Sequence, residues 1–146
     1  MTRVKIHPVP GDGSCFYHAV RIHLICRYSG TNYTVPSVNK LRKLTAYNLM
    51  KVMKSRAKSF AEMQSYAMFY VQDANMTLNT YMSGMKKTMW AGPLEAMLLA
   101  NALKMRIQIF STSALRKSKK AGIFKIKEEP LVDTGDKRRI PIRIVI

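Results

Sequence analysis

Helix-type periodicity fills residues 15 to 103, and strand-type runs follow between residues 106 and 146. Helices first and strands late specify an α+β domain in which helices pack on a small late sheet. A length of 146 residues and an apolar share of 47% suit one domain with a real core, taken as residues 1–146 with a lead-in at 1–10. In that lead-in Val4 and Ile6 alternate with polar residues until Pro8 and Pro10, as in an edge strand or an extended segment. From Cys15 to about Arg27 the apolar side is too broad for a surface helix, which predicts a buried central helix. Ser37 is a good N-cap for a helix over residues 37–54, with Val38, Leu41, Leu44, Leu49 and Val52 inward. Further helices are expected over 59–71 and 76–85, and another opens at Pro93. Residues 106–110, 123–127 and 140–146 read as strands, with a basic loop at 111–121 and a polar connection at 128–137.

Chemistry concentrates at Gly11-Asp12-Gly13-Ser14-Cys15, where a glycine-rich turn runs directly into the first helix. A cysteine at a helix N-terminus meets unsatisfied N–H groups and the positive end of the dipole, and both favour thiolate over thiol. The flexible turn also lets backbone amides approach an incoming carbonyl oxygen. Nucleophile and oxyanion hole are thereby supplied, and a base has to come from elsewhere. His18 shares the helix face of Cys15, but both side chains lean the same way along the helix, a poor geometry for proton transfer. It reads as a packed or half-exposed position. His18, His23 and Cys26 supply too few convergent ligands for a metal, so a core cysteine, surface histidines and no metal or cofactor are expected.

Two blocks stand in order, Asp12-Gly13-Ser14-Cys15-Phe16-Tyr17-His18-Ala19 and Trp90-Ala91-Gly92-Pro93-Leu94-Glu95 followed by Arg106 to Phe110. They resemble the ovarian tumour (OTU) family of cysteine proteases, the first being similar to its Asp-Gly-Asn-Cys-Leu-Phe-Arg-Ala and the second to its Trp-Gly helix and next strand. The resemblance runs from about Gly11 to the end and implies an OTU-like, papain-type α+β fold. It further implies Cys15 as nucleophile, the amides of Asp12 and Cys15 as oxyanion hole, and a substrate cleft shaped by Gly13, Ser14, Trp90 and Gly92. A plain core tryptophan is the competing reading of Trp90. The family's catalytic histidine follows a late strand, whereas the histidines here are His7, His18 and His23. Residues 139–146 read like the strand leading to that histidine. Either the polypeptide stops short of its base or the fold has been kept without the chemistry.

Charge pulls in a second direction. Twenty-five Lys and Arg against eight acids give +17, a balance that suits polyanionic partners. Ubiquitin, the partner the resemblance implies, has a basic C-terminal tail, and the few acids here argue against a strongly attractive cleft. Arg116, Lys117, Lys119 and Lys120 form one basic run and Lys137, Arg138 and Arg139 another, flanking one predicted sheet and able to converge on phosphates. No aromatic-rich RNA-binding signature accompanies them. Two cysteines are too few for a disulfide framework, and neither a secretory leader nor a transmembrane run is present, so a cytoplasmic or nuclear setting is expected, with virion association as a variant. Eleven methionines imply a plastic core. Three functions remain open: a ubiquitin or ubiquitin-like isopeptidase or viral processing protease, a non-catalytic component of a virion or ribonucleoprotein assembly, and a basic nucleic-acid-binding module.

Overall fold

The computed structural model describes residues 3–9 and 11–146; Met1, Thr2 and Pro10, and with them the expected stop at Pro10, lie outside the described residues. Five α-helices come first in bulk: α1 (Cys15–Arg27), α2 (Val38–Lys54), α3 (Ala61–Asp73), α4 (Leu78–Lys86) and α5 (Pro93–Leu103). Six strands complete the fold: β1 (Arg3–Lys5), β2 (Arg106–Phe110), β3 (Leu115–Lys117), β4 (Ile123–Ile126), β5 (Val132–Gly135) and β6 (Ile142–Val145). Among the described residues no helix is long and apolar enough to cross a membrane.

Local chemistry sets the helix ends. Ser37 caps α2 by accepting from the Lys40 N–H at 3.1 Å, and Thr77 caps α4 through the Thr80 N–H at 3.2 Å. At α5, Pro93 occupies the first turn and Glu95 reaches back to accept from the Gly92 N–H at 3.1 Å. Lys104, with φ of 53°, ends that helix in the left-handed conformation. The first turn of the expected third helix is instead a 3-10 segment, Lys58–Phe60.

The strands form two sheets of three, in orders β1-β4-β3 and β5-β2-β6. In the first, the N-terminal strand returns to pair antiparallel with β4, so the sheet is not built from late strands alone. In the second, β2 pairs antiparallel with β5 and parallel with β6. Two strands lie where polar or basic connections were expected. β3 opens the basic stretch because Leu115 and Arg116 find partners in Ile126 and Lys125. β5 lies within the polar connection because Val132 and Asp133 pair with Ile109 and Gln108. Gly135 ends β5 at φ of 99°, and a Cβ there would collide with the Met105 carbonyl.

Two apolar clusters share the longest helices. One joins Phe16, Tyr17, Val20 and Leu24 of α1 to Leu41, Leu99, Ile107, Ile142 and Ile144. The other joins Leu49, Val52, Ala67, Val71, Met85, Leu94 and Leu98, with Met53, Met63, Met82, Met89 and Met97 packed against it. α1 is not a central helix: Ile25 and Cys26 are exposed, and its buried residues line one side. α2 packs against both α1 and α5.

Candidate active site

Cys15 is the first residue of α1 and half-buried. The turn before it is held by Asp12, whose Oδ1 accepts the Ser14 N–H at 2.8 Å and whose carbonyl accepts the Cys15 N–H at 3.1 Å. The Asp12 N–H has no acceptor among the described residues, whereas the Cys15 N–H, the other expected oxyanion donor, is engaged within the turn.

Ser14 stands at the N-cap of α1 yet makes no cap hydrogen bond. Its hydroxyl instead accepts from Arg42 of α2, at 2.8 Å from Nη2 and 3.1 Å from Nε. Arg42 is fully buried. Nη2 also donates to the Gly13 carbonyl at 2.8 Å, and Nη1 donates to the carbonyls of Met85 at 3.0 Å and Met89 at 2.9 Å. All five guanidinium N–H groups are thereby used, without a carboxylate. The guanidinium lies 4.6 Å from the centre of the Tyr17 ring. Burial, with Glu95 nearby, pushes the Tyr17 hydroxyl up to about 12, and that oxygen is near Thr45 without a well-formed hydrogen bond. Arg42 thus joins the cysteine turn to the end of α4 and the segment leading to Trp90. It lies outside both sequence blocks, and at the level of sequence it is one more cation on a basic helix.

Trp90 is 63% exposed, so it is not a core tryptophan. It stands over the cysteine turn: a Cβ on Gly13 would lie 3.6 Å from Trp90 Nε1 and 2.9 Å from the Thr88 carbonyl. Gly92 is the N-cap of α5 beside it. Gly13, Ser14, Cys15 and Trp90 are therefore brought together, with α1's terminus carrying no side-chain cap and no acidic residue in its first turn. Of the nearby acids, Asp12 is exposed, and Glu95 is buried with Oε1 accepting from the Tyr81 hydroxyl at 2.9 Å.

The histidines divide. His18 Nε2 faces Asp12 Oδ2 at 3.6 Å. His23, expected at the surface, is part-buried and donates Nε2–H to the Arg143 carbonyl of β6 at 2.8 Å; burial is the main cause lowering its pKa. No imidazole hydrogen-bonds the Cys15 sulfur among the described residues. Cys26 is exposed, contrary to the expected core position, because it falls on the outer side of α1. No metal-binding cluster occurs among the described residues.

The two basic runs lie on different sheets. Arg116 and Lys117 are on β3, with Lys119 and Lys120 in the turn to β4. Lys137, Arg138 and Arg139 follow β5 and meet acids: Lys137 pairs with Asp133 at 3.0 Å and Arg138 with Asp136 at 3.0 Å, while Arg139 stands 3.9 Å from Asp136. Arg106 makes a two-pronged pair with Asp133, at 2.9 and 2.7 Å, which holds that carboxyl far below the usual range.

A helix-headed cysteine set against a tryptophan-bearing loop defines the class as an α+β thiol domain. Within it, the chain belongs to the OTU-like cysteine protease family, whose model matches residues 10–138. Among solved structures, an OTU deubiquitinase from Wolbachia pipientis wMel is similar over 98% of this chain and 81% of its own, at 20% identity and a TM-score of 0.57. The viral OTU domain protease of Dera Ghazi Khan virus matches over 99% of this chain and 80% of its own, at 16% identity and a TM-score of 0.51. An OTU domain in complex with ubiquitin matches over 77% of this chain and 60% of its own, at 19% identity and a TM-score of 0.51. At these identities the structural likeness speaks for the fold. Among curated proteins no relative matches.

Proposed function

We propose that the domain is a thiol isopeptidase acting on ubiquitin or a ubiquitin-like modifier, with Cys15 as nucleophile. The observation that carries this reading is the uncapped N-terminus of α1, left open because Arg42 takes the Ser14 hydroxyl. Free N–H groups and the dipole then favour negative charge at the Cys15 sulfur and on a carbonyl oxygen beside it. The thiolate attacks the carbonyl carbon of the isopeptide bond and forms a C–S bond. The C–N bond breaks as the departing lysine amine takes up a proton, and water then cleaves the thioester. The Asp12 N–H is the unengaged donor on the turn, and Trp90, exposed over that turn, is the side chain an arriving extended C-terminal tail would meet.

Support for a ubiquitin-type substrate comes from family membership and from the ubiquitin-bound neighbour. The proton donor is the incomplete part, since Cys15 has no imidazole partner among the described residues. Probe labelling by this chain is therefore expected to exceed its turnover. The test is reaction with a ubiquitin C-terminal electrophile in a Cys26→Ser background, which removes the exposed second thiol. Labelling lost in Cys15→Ala supports the reading. Labelling by small alkylators alone, with no reaction of the ubiquitin probe, overturns it.

A further inference from the structure

The register of the first sheet places Arg3 of β1 opposite Lys125 of β4, and Arg116 of β3 opposite the same Lys125. Directly paired residues share a face, so three cations stand abreast across three strands. Lys5, two residues along β1, joins that face, and Lys119 and Lys120 rise at its rim in the turn between β3 and β4. Arg3, Lys5, Lys119, Lys120 and Lys125 line one open cavity of about 410 Å³. No acidic residue lines it, and none of these cations is in an ion pair among the described residues. The second basic run differs, being paired with Asp133 and Asp136. Like charges set opposite one another on a sheet cost stability, so this face is poorly suited to water alone and well suited to a polyanion.

We propose that the exposed face of the β1-β4-β3 sheet docks the phosphate backbone of a nucleic-acid duplex, independently of sequence. Cations about 5 Å apart across strands and about 7 Å apart along one make a grid suited to regularly repeated phosphates. No exposed aromatic side chain lies on these strands; the exposed aromatics are Tyr33, Tyr47, Tyr66, Phe69 and Trp90, so base stacking of a single strand has no platform here. A membrane surface is disfavoured because, among the described residues, the apolar side chains lining this cavity are Val4 and Ile123, both half-buried and short of what insertion into lipid needs. This surface is separate from the cysteine turn, so the proposal stands or falls apart from the proteolytic reading.

The experiment is a salt titration of binding to a short mixed-sequence duplex, followed by fluorescence anisotropy. The comparison is between the parent, a face variant (Arg116→Gln, Lys119→Gln, Lys120→Gln, Lys125→Gln) and a control of equal charge change on exposed helix positions (Lys40→Gln, Lys51→Gln, Lys54→Gln, Lys58→Gln). If the six cations each neutralise one phosphate, parent affinity falls about 1,000-fold between about 50 and 200 mM salt, and that of the face variant only about tenfold. The control keeps the parent's slope. The turn pair Lys119→Gln, Lys120→Gln, outside any strand pairing, lowers the slope by about 2 and serves if the larger variant fails to fold. Equal losses in face variant and control overturn the proposal in favour of bulk charge, as does absence of duplex binding at about 50 mM salt. Selective loss seen only on phosphatidylserine vesicles overturns it in favour of a membrane surface.

Discussion

Replacing Arg42 by methionine removes all five N–H donors while nearly preserving the stem that fills the interior. Four acceptors lose their partner: the carbonyls of Gly13, Met85 and Met89, and the Ser14 hydroxyl. Leaving the three buried or half-buried carbonyls short costs about 1 kcal/mol each, and losing the contact over Tyr17 about 1 kcal/mol more, while the Ser14 hydroxyl finds a new partner at the helix terminus. Relief of a buried charge with no carboxylate partner offsets part of this, leaving a net loss of about 3 kcal/mol. That is a large part of a typical stability of about 5–15 kcal/mol and lowers the melting temperature by about 6–12 °C. Arg42→Lys is a sharper control, because it keeps the charge but replaces a planar fork with three donors at one point. Thermal denaturation by circular dichroism gives the stability, and the rate of Cys15 alkylation in the Cys26→Ser background gives the state of the turn. Arg42→Met is expected to shift both readouts, with Ser14 released to cap α1 and Cys15 alkylated at a changed rate. A methionine variant within about 1 kcal/mol of the parent, or full rescue by lysine, would refute the argument that the fork holds the turn.

Two further outcomes follow from single contacts. Gly13→Ala drives a Cβ to 2.9 Å from the Thr88 carbonyl, a backbone atom that cannot swing aside, so a loss of about 1–3 kcal/mol in denaturant unfolding and slower Cys15 labelling are expected; unchanged values for both would contradict the close approach. His23 has its pKa lowered mainly by burial, so its neutral form is the folded one; its contribution to stability is present above the unfolded value of about 6.5 and is lost as pH falls through the lower folded value. His23→Gln keeps a donor for the Arg143 carbonyl and is expected to flatten stability below about pH 6.5, and a slope unchanged by the substitution would assign the titration elsewhere.

Much of the fold was legible because local signals agreed with tertiary demand. Ser37 and Pro93 punctuate helices where side-chain chemistry alone predicts, whereas the Thr77 cap emerges only from the structure. β3 and β5 escaped because Leu115-Arg116-Lys117 and Val132-Asp133-Thr134-Gly135 each hold a single apolar residue, too few to alternate, and owe their state to partners elsewhere in the chain. The cysteine turn was legible for a related reason, since glycine, aspartate and cysteine have local work there. Arg42 was not, because its role arises from three segments meeting around it. The exposure of Trp90 was equally hidden, composition favouring neither burial nor exposure.

The Arg42 clamp has one end in the methionine-rich cluster, where the carbonyls of Met85 and Met89 receive the guanidinium. Met85 is fully buried, and Met89 packs against the same cluster near Gly84. Oxidation of these thioethers to sulfoxides would place polar, differently shaped groups in a core tuned to soft ones. The strain would pass through two carbonyls and one guanidinium to the turn that bears Cys15. A sulfoxide in this cluster would thus disturb the setting of Cys15 from a distance, with no change at the Cys15 sulfur itself.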